Sequence, residues 1–232
     1  MTESAELIRN NLESIISRIN AAAARAGRDP SDIRLIGVTK TVDIDRIKAA
    51  FDCGIMDFGE NRVQELCKKA DILDIKCNWH LIGHLQTNKV KYIIDRVGLI
   101  HSLDSLELAR EISRRAETAG RMIDVLVQVN VAGEESKFGI RPEEAPGFVK
   151  EVSRMGNIRV KGLMTIAPLA DDPEDVRWVF EGLGKLRIDI SRENIDNVDM
   201  TCLSMGMSND FEVAVEEGSN MVRIGTALFG KR

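Results

Sequence analysis

The sequence is poor in the features that mark several large classes of protein. It has no run of about 18 apolar residues, the length a helix needs to cross a bilayer, so no membrane span is expected. Its first residues, MTESAELIRNNLESIISRI, have neither the basic start nor the unbroken apolar core of a signal peptide. Cys53, Cys67, Cys77 and Cys202 form no CxxC pair and do not alternate with histidines at zinc-ligand spacing. They read as reduced, mostly buried thiols, and the cytoplasm is the expected compartment. A basic stripe is missing as well. The 32 lysines and arginines are interspersed among 37 aspartates and glutamates, and the net charge of −5 argues against nucleic-acid binding.

What the sequence does contain is a repeated rhythm. A chain of 232 residues with 44% hydrophobic residues can bury a large core, and it is long enough for one (β/α)8 barrel of about 250 residues. Eight short apolar runs, rich in β-branched residues, recur at even spacing: 35–39, 55–58, 79–82, 97–102, 123–130, 160–164, 200–203 and 221–224. Amphipathic stretches separate them, as expected for parallel strands joined by helices. Asp43 can cap the stretch holding Ile44, Ile47, Ala50 and Phe51, and Gly54 can end it. Asp104 and Ser105 can cap the next clear helix, ending near Gly120, and NKVKYIID reads as another. Pro142 and Pro173 suit first helical turns, whereas Pro146 requires its helix to start late. One extra helix over about residues 3–26 precedes the first strand, with Leu7, Ile8, Leu12, Ile15, Ile16 and Ile19 on one side. The expected architecture is α/β: a single TIM barrel domain over residues 1–232, with residues 1–30 packed against it.

In such a barrel the chemistry sits where strands end. Lys40 closes the run RLIGVTK. A lysine at a strand exit is most often a solvated cation. To attack an aldehyde it must lose a proton, which requires burial or a nearby cation to bring it below its reference pKa of about 10.4. Arg223, on the last strand, is the candidate neighbour. Two further segments, LSMGMSND and MVRIGTALFG, place Ser204, Gly206 and Ser208 after the seventh strand and Gly225 and Thr226 after the eighth. Barrels commonly grip phosphate there. Either segment alone reads as a turn; with Lys40 they form an imine-forming amine beside a phosphate cradle. The stretch GTALFGK matches the spacing of a nucleotide-binding P-loop through its lysine, but Arg232 stands where that motif requires Ser or Thr.

Histidine is scarce, with only His80, His84 and His101. The first two are four apart, yet WHLIGHLQ reads as strand and then turn, so they do not share a helix face and no metal site is expected. His80 is placed inside the barrel, either beside a ligand or as a satisfied core residue.

The motifs GVTK, DFGENRVQE, WHLIGHLQTNK, HSLDS, VNVAGEESKFG, VKGLMTI, LSMGMSND and VRIGTALFG, in this order, resemble the pyridoxal phosphate homeostasis protein family. The resemblance runs from about Arg34 to Gly230. It implies a monomeric barrel of alanine racemase N-terminal type carrying pyridoxal 5′-phosphate (PLP) as a covalent imine on Lys40. It implies that Ser204, Gly206, Ser208, Gly225 and Thr226 surround the phosphate and that Arg223 faces the pyridine nitrogen. Asn61 of GENRVQE, His80 and Met164 are implied as further cofactor neighbours. The implied role is to hold PLP reversibly in vitamin B6 homeostasis and amino and keto acid balance, with PLP-dependent apoenzymes as acceptors.

The alternative is a PLP-dependent amino acid racemase. A guanidinium donates to the pyridine nitrogen without readily protonating it, which makes the ring a weaker electron sink. Racemisation also needs a base on each face of the substrate carbon. The only tyrosine, Tyr92, lies in NKVKYIID, away from the strand exits. Little or no turnover of amino acids is therefore expected.

Overall fold

The computed structural model describes residues 3–134 and 136–230. After helix α1 (Glu3–Arg25) the chain runs β1 (Arg34–Val38), α2 (Ile44–Asp52), β2 (Asp57–Glu60), α3 (Val63–Ile72), β3 (Asn78–Leu81) and β4 (Val97–Leu103). It continues α4 (Leu106–Thr118), β5 (Ile123–Gln128), α5 (Ala145–Ser153), β6 (Ile158–Met164) and α6 (Arg177–Arg192). It ends β7 (Val198–Met207), α7 (Phe211–Glu216), β8 (Met221–Ile224) and α8 (Thr226–Phe229). The eight strands are parallel and close into a barrel in chain order, with Ile36 of β1 paired to Asp57 on one side and Arg223 on the other.

Alternation along the strands divides the apolar residues into two sets. Ile100, Val125, Val127, Leu163 and Val222 join the large core under the helices. Their neighbours Leu99, Leu126, Met164 and Met221, with Ile36, pack into a second cluster inside the barrel. Helix α1 buries Ile8, Ile15 and Ile19 and lies on α2, α7 and α8. It is pinned by Arg18 to Glu212 at 2.7 Å and by Asn11 Nδ2 donating to the Leu228 carbonyl at 2.9 Å.

Several elements depart from the sequence expectation. The stretch NKVKYIID is a 3₁₀ turn over Thr87–Tyr92, because Val90 and Ile93, both buried, sit three apart, the spacing that a 3₁₀ helix aligns. Strand β7 runs four residues beyond the expected 200–203 limit, through Met207, so Ser204 and Gly206 belong to the strand. Pairing with β6 and β8 extends it, with an irregularity between Ser204 and Met207. Pro146 sits in the first turn of α5, where it is tolerated. The four cysteines are free and partly exposed rather than mostly buried.

Candidate functional site

A cavity of about 630 Å³ opens at the C-terminal ends of the strands, a size typical of small-molecule sites. Lys40, Asn61, Ser208, Arg223, Gly225 and Thr226 line it together, and residues Ile166 to Ala170 form an apolar flank. The charged lining residues are Lys40, Lys137 and Arg223 against Asp210. That balance favours an anionic ligand.

Lys40 lies two residues past the end of β1, in a tight turn closed by the Val42 N–H donating to the Thr39 carbonyl at 2.8 Å. Thr41 has φ 58°, an uncommon conformation for a β-branched residue. Its N–H donates to Glu65 Oε2 at 3.0 Å. Behind the turn, Lys69 Nζ donates to the Thr39 carbonyl at 2.6 Å, to Glu60 Oε1 at 2.5 Å and to Glu65 Oε2 at 3.2 Å. The Thr39 hydroxyl donates to the same Glu60 oxygen at 2.6 Å. Burial alone would raise the Glu65 carboxyl, but the Thr41 N–H, Lys69 and Arg62 outweigh it and hold it below its usual range. The three supporting residues were not singled out from the sequence. The one local signal was the i,i+4 spacing of Glu65 and Lys69 on α3.

Arg223 is 4% exposed. Its Nη1 donates to Ser204 Oγ at 2.6 Å and its Nη2 to the Thr165 carbonyl at 2.8 Å. Burial lowers its pKa to about 10, with Asp210 opposing the shift, so it is cationic at neutral pH. Burial likewise raises the Asp210 carboxyl, although the Met207 N–H and Arg223 pull the other way. Asn61 carries a buried amide oxygen with no partner, at a wall of the cavity. Its backbone is packed so closely that a Cβ at Gly83 would lie 2.4 Å from the Asn61 carbonyl oxygen. Also on the lining, Ser208 Oγ accepts the Ala227 N–H at 3.3 Å and thereby ties the β7 exit to the β8 exit.

Four of the residues singled out from the sequence do not line this cavity. Met164 belongs to the apolar cluster inside the barrel. Ser204 is fully buried beneath the cavity as the partner of Arg223. Gly206, at φ 91°, faces α7, where a Cβ would stand 2.6 Å from that of Ala214. Only glycine fits there, and the reason is helix packing. His80 points into the barrel, where it meets His101 and Asp57. His84 pairs with Asp104 at 3.3 Å and stacks on Phe138. Both histidines thus have carboxylate partners that the sequence spacing did not reveal. Among the described residues, no three His, Cys, Asp or Glu side chains are grouped to hold a metal.

The polar groups of the cavity fit a phosphorylated aldehyde: an amine, a buried cation, an unpartnered amide oxygen and a hydroxyl beside glycine. The profile described as alanine racemase, N-terminal domain, matches residues 10–232. The pyridoxal phosphate homeostasis protein of Aquifex aeolicus is 49% identical over 222 residues, covering 95% of this chain and 96% of its own. The crystal structure of an unknown protein from Bifidobacterium adolescentis superimposes with a TM-score of 0.91 at 37% identity, over 98% and 97% of the two chains. PipY of Synechococcus elongatus, solved with PLP bound, superimposes with a TM-score of 0.84 at 32% identity, over 96% and 100%.

Proposed function

The chain belongs to the pyridoxal phosphate homeostasis protein family, within the alanine racemase N-terminal domain, and from that premise we propose that it holds PLP reversibly on Lys40. The observation that carries the reading is that Lys40 and Arg223 line one cavity with Ser208, Gly225 and Thr226. Lys40 would hold the cofactor through its Nζ, as a covalent imine whose formation releases the aldehyde oxygen as water. Ser208, Gly225 and Thr226 would take the phosphate, and Arg223 would face the ring nitrogen. Asn61 supplies an acceptor at the wall. A bound cofactor would contribute a reactive aldehyde and an aromatic ring; the chain contributes position, charge and exclusion of water.

The protein acts in vitamin B6 homeostasis and in amino and keto acid balance, as a cytoplasmic, single-domain monomer that passes PLP to apoenzymes. Low turnover of amino acids is supported by Tyr92, which lies outside the cavity lining, and by Lys137, whose amine is engaged by Glu134 at 3.0 Å. The placement of Ser204 and His80 beneath the cavity gives them a supporting part, through Arg223.

The test is hydride reduction of the protein after incubation with PLP, followed by intact-mass and peptide analysis. One pyridoxyl phosphate on Lys40, absent in Lys40→Ala, is the expected result. An unmodified Lys40 overturns the reading. Rapid Lys40-dependent loss of optical activity from a single-enantiomer amino acid would make the protein a racemase instead.

A further inference from the structure

The interior of a (β/α)8 barrel is usually filled by branched apolar side chains. Here part of it is not. Beside the apolar cluster of Ile36, Leu99, Leu126, Met164 and Met221 lie four buried polar residues, His80, His101, Ser204 and Arg223. They form one unbroken chain. Arg223 Nη1 is 2.6 Å from Ser204 Oγ, and the same oxygen is 2.9 Å from His101 Nδ1. His101 Nε2 is 2.9 Å from His80 Nδ1, and His80 Nε2 is 2.9 Å from Asp57 Oδ1. Asp57 opens β2, at the end of the barrel away from the cavity, where Asn78 Nδ2 also donates to it at 3.1 Å and Arg34 stands at 3.9 Å.

The two ends of the chain determine its direction. A guanidinium can only donate and a carboxylate can only accept. Arg223 therefore donates to Ser204, the Ser204 hydroxyl to His101 Nδ1, His101 Nε2–H to His80 Nδ1, and His80 Nε2–H to Asp57. Four bonds use four hydrogens, with one proton on each imidazole. The opposite sense does not balance. Ser204 Oγ has two lone pairs and could accept both Arg223 and an Nδ1–H on His101, but the serine hydrogen would then lose its acceptor, since Arg223 only donates. An additional proton would also be needed at His80 or Asp57. Burial works in the same direction, since it holds His101 well below the usual imidazole range, with His80, Arg223 and Arg34 adding to the effect.

We propose that Asp57, His80, His101 and Ser204 form a one-way hydrogen-bond relay that positions Arg223 from the far end of the barrel. Ser204, its hydrogen committed to His101, offers Arg223 only a lone pair, and the Thr165 carbonyl holds the second arm of the fork. The four are positioning residues, and none of them lines the cavity. Their effect on a bound pyridoxal ring rests on the cofactor reading given above; their tautomers do not.

The test has two arms. In the first, the protein without cofactor is labelled with ¹⁵N-histidine, and two-bond ¹H–¹⁵N correlations assign the tautomers, using His80→Gln and His84→Gln to identify signals. His80 and His101 should both carry their proton on Nε2. Asp57→Leu should shift His80 away from that single tautomer, whereas Asp57→Asn, which keeps a carbonyl acceptor, should retain it. A proton on His101 Nδ1 in the unaltered protein overturns the relay. In the second arm, the visible band of PLP bound to the protein is compared among Ser204→Ala, Asp57→Leu and Asp57→Asn. The first two should shift the band while Lys40 still carries the cofactor, and Asp57→Asn should leave it nearly unchanged. An identical band in all variants overturns the coupling. Failure of the unaltered protein to take up PLP would sink the functional reading alone, because the tautomer arm still reads. Circular dichroism shows whether each variant folds; should Asp57→Leu not fold, Ser204→Ala carries both arms.

Discussion

Replacing Lys69 with methionine removes a buried cation and leaves a chain of nearly the same length. The Glu60 side chain is fully buried and that of Lys69 is 9% exposed, with 2.5 Å between Nζ and Oε1. Deleting one partner of such a pair costs about 3–5 kcal/mol, because the other charge remains buried without compensation. After the loss Glu60 keeps only the neutral Thr39 hydroxyl on Oε1, and its Oε2 is already buried without a hydrogen bond. For a chain of this size each kcal/mol corresponds to about 2–4 °C in melting temperature, so Lys69→Met should lower it by about 6–20 °C. The assay is thermal unfolding followed by circular dichroism at pH 7. The double variant Glu60→Gln with Lys69→Met should recover part of the loss, which a double-mutant cycle would read as coupling. Lys69 also holds the Thr39 carbonyl at the base of the Lys40 turn, so the single variant should trap less PLP under limiting cofactor. A melting temperature lowered by less than about 3 °C would refute the clamp.

Three shorter predictions follow from the same contacts. Gly83→Ala drives a methyl to 2.4 Å from the Asn61 carbonyl; overpacking should cost about 1–3 kcal/mol and reduce PLP retention, measured by urea unfolding and by gel filtration of the loaded protein. Asp57 is opposed by burial, but His80, Arg34 and Asn78 hold it below its usual 3.8. A depressed carboxyl contributes stability that is present above its unfolded pKa and lost as pH falls through the folded one; Asp57→Asn should therefore flatten the loss of stability below about pH 4, and an unaltered acid limb would contradict this. Burial pushes the Cys77 thiol up to about 11, so it should react with a thiolate-selective reagent at pH 8 far more slowly in the native protein than in urea, as peptide mapping would read.

Much of the fold was legible because its signals are local. The eight apolar runs, the helix caps at Asp43 and Ser105, and the prolines at helix starts are set by neighbours a few residues away, and parallel strands separated by helices leave few topologies. Lys40, Ser208, Gly225 and Thr226 were legible after strand ends, Arg223 on the last strand and Asn61 through the family resemblance, and the barrel brings them to one cavity. The extent of β7 was not, because Ser204 and Gly206 look like turn residues until β6 and β8 pair with them.

The order of elements, the periodicity of each and the lysine at the end of the first strand were determined by the sequence alone, because dihedral preference and apolar spacing act over one or two turns of chain. Which side chains share the barrel interior was decided only by closure. Asp57, His80, His101, Ser204 and Arg223 come from five separate strands, and no hydrogen-bond partner or direction can be assigned to any of them until the strands meet at about 5 Å spacing. The same holds for Lys69 beneath Lys40: its charge reads as an exposed helix residue until the packing of α3 against β2 turns it inward.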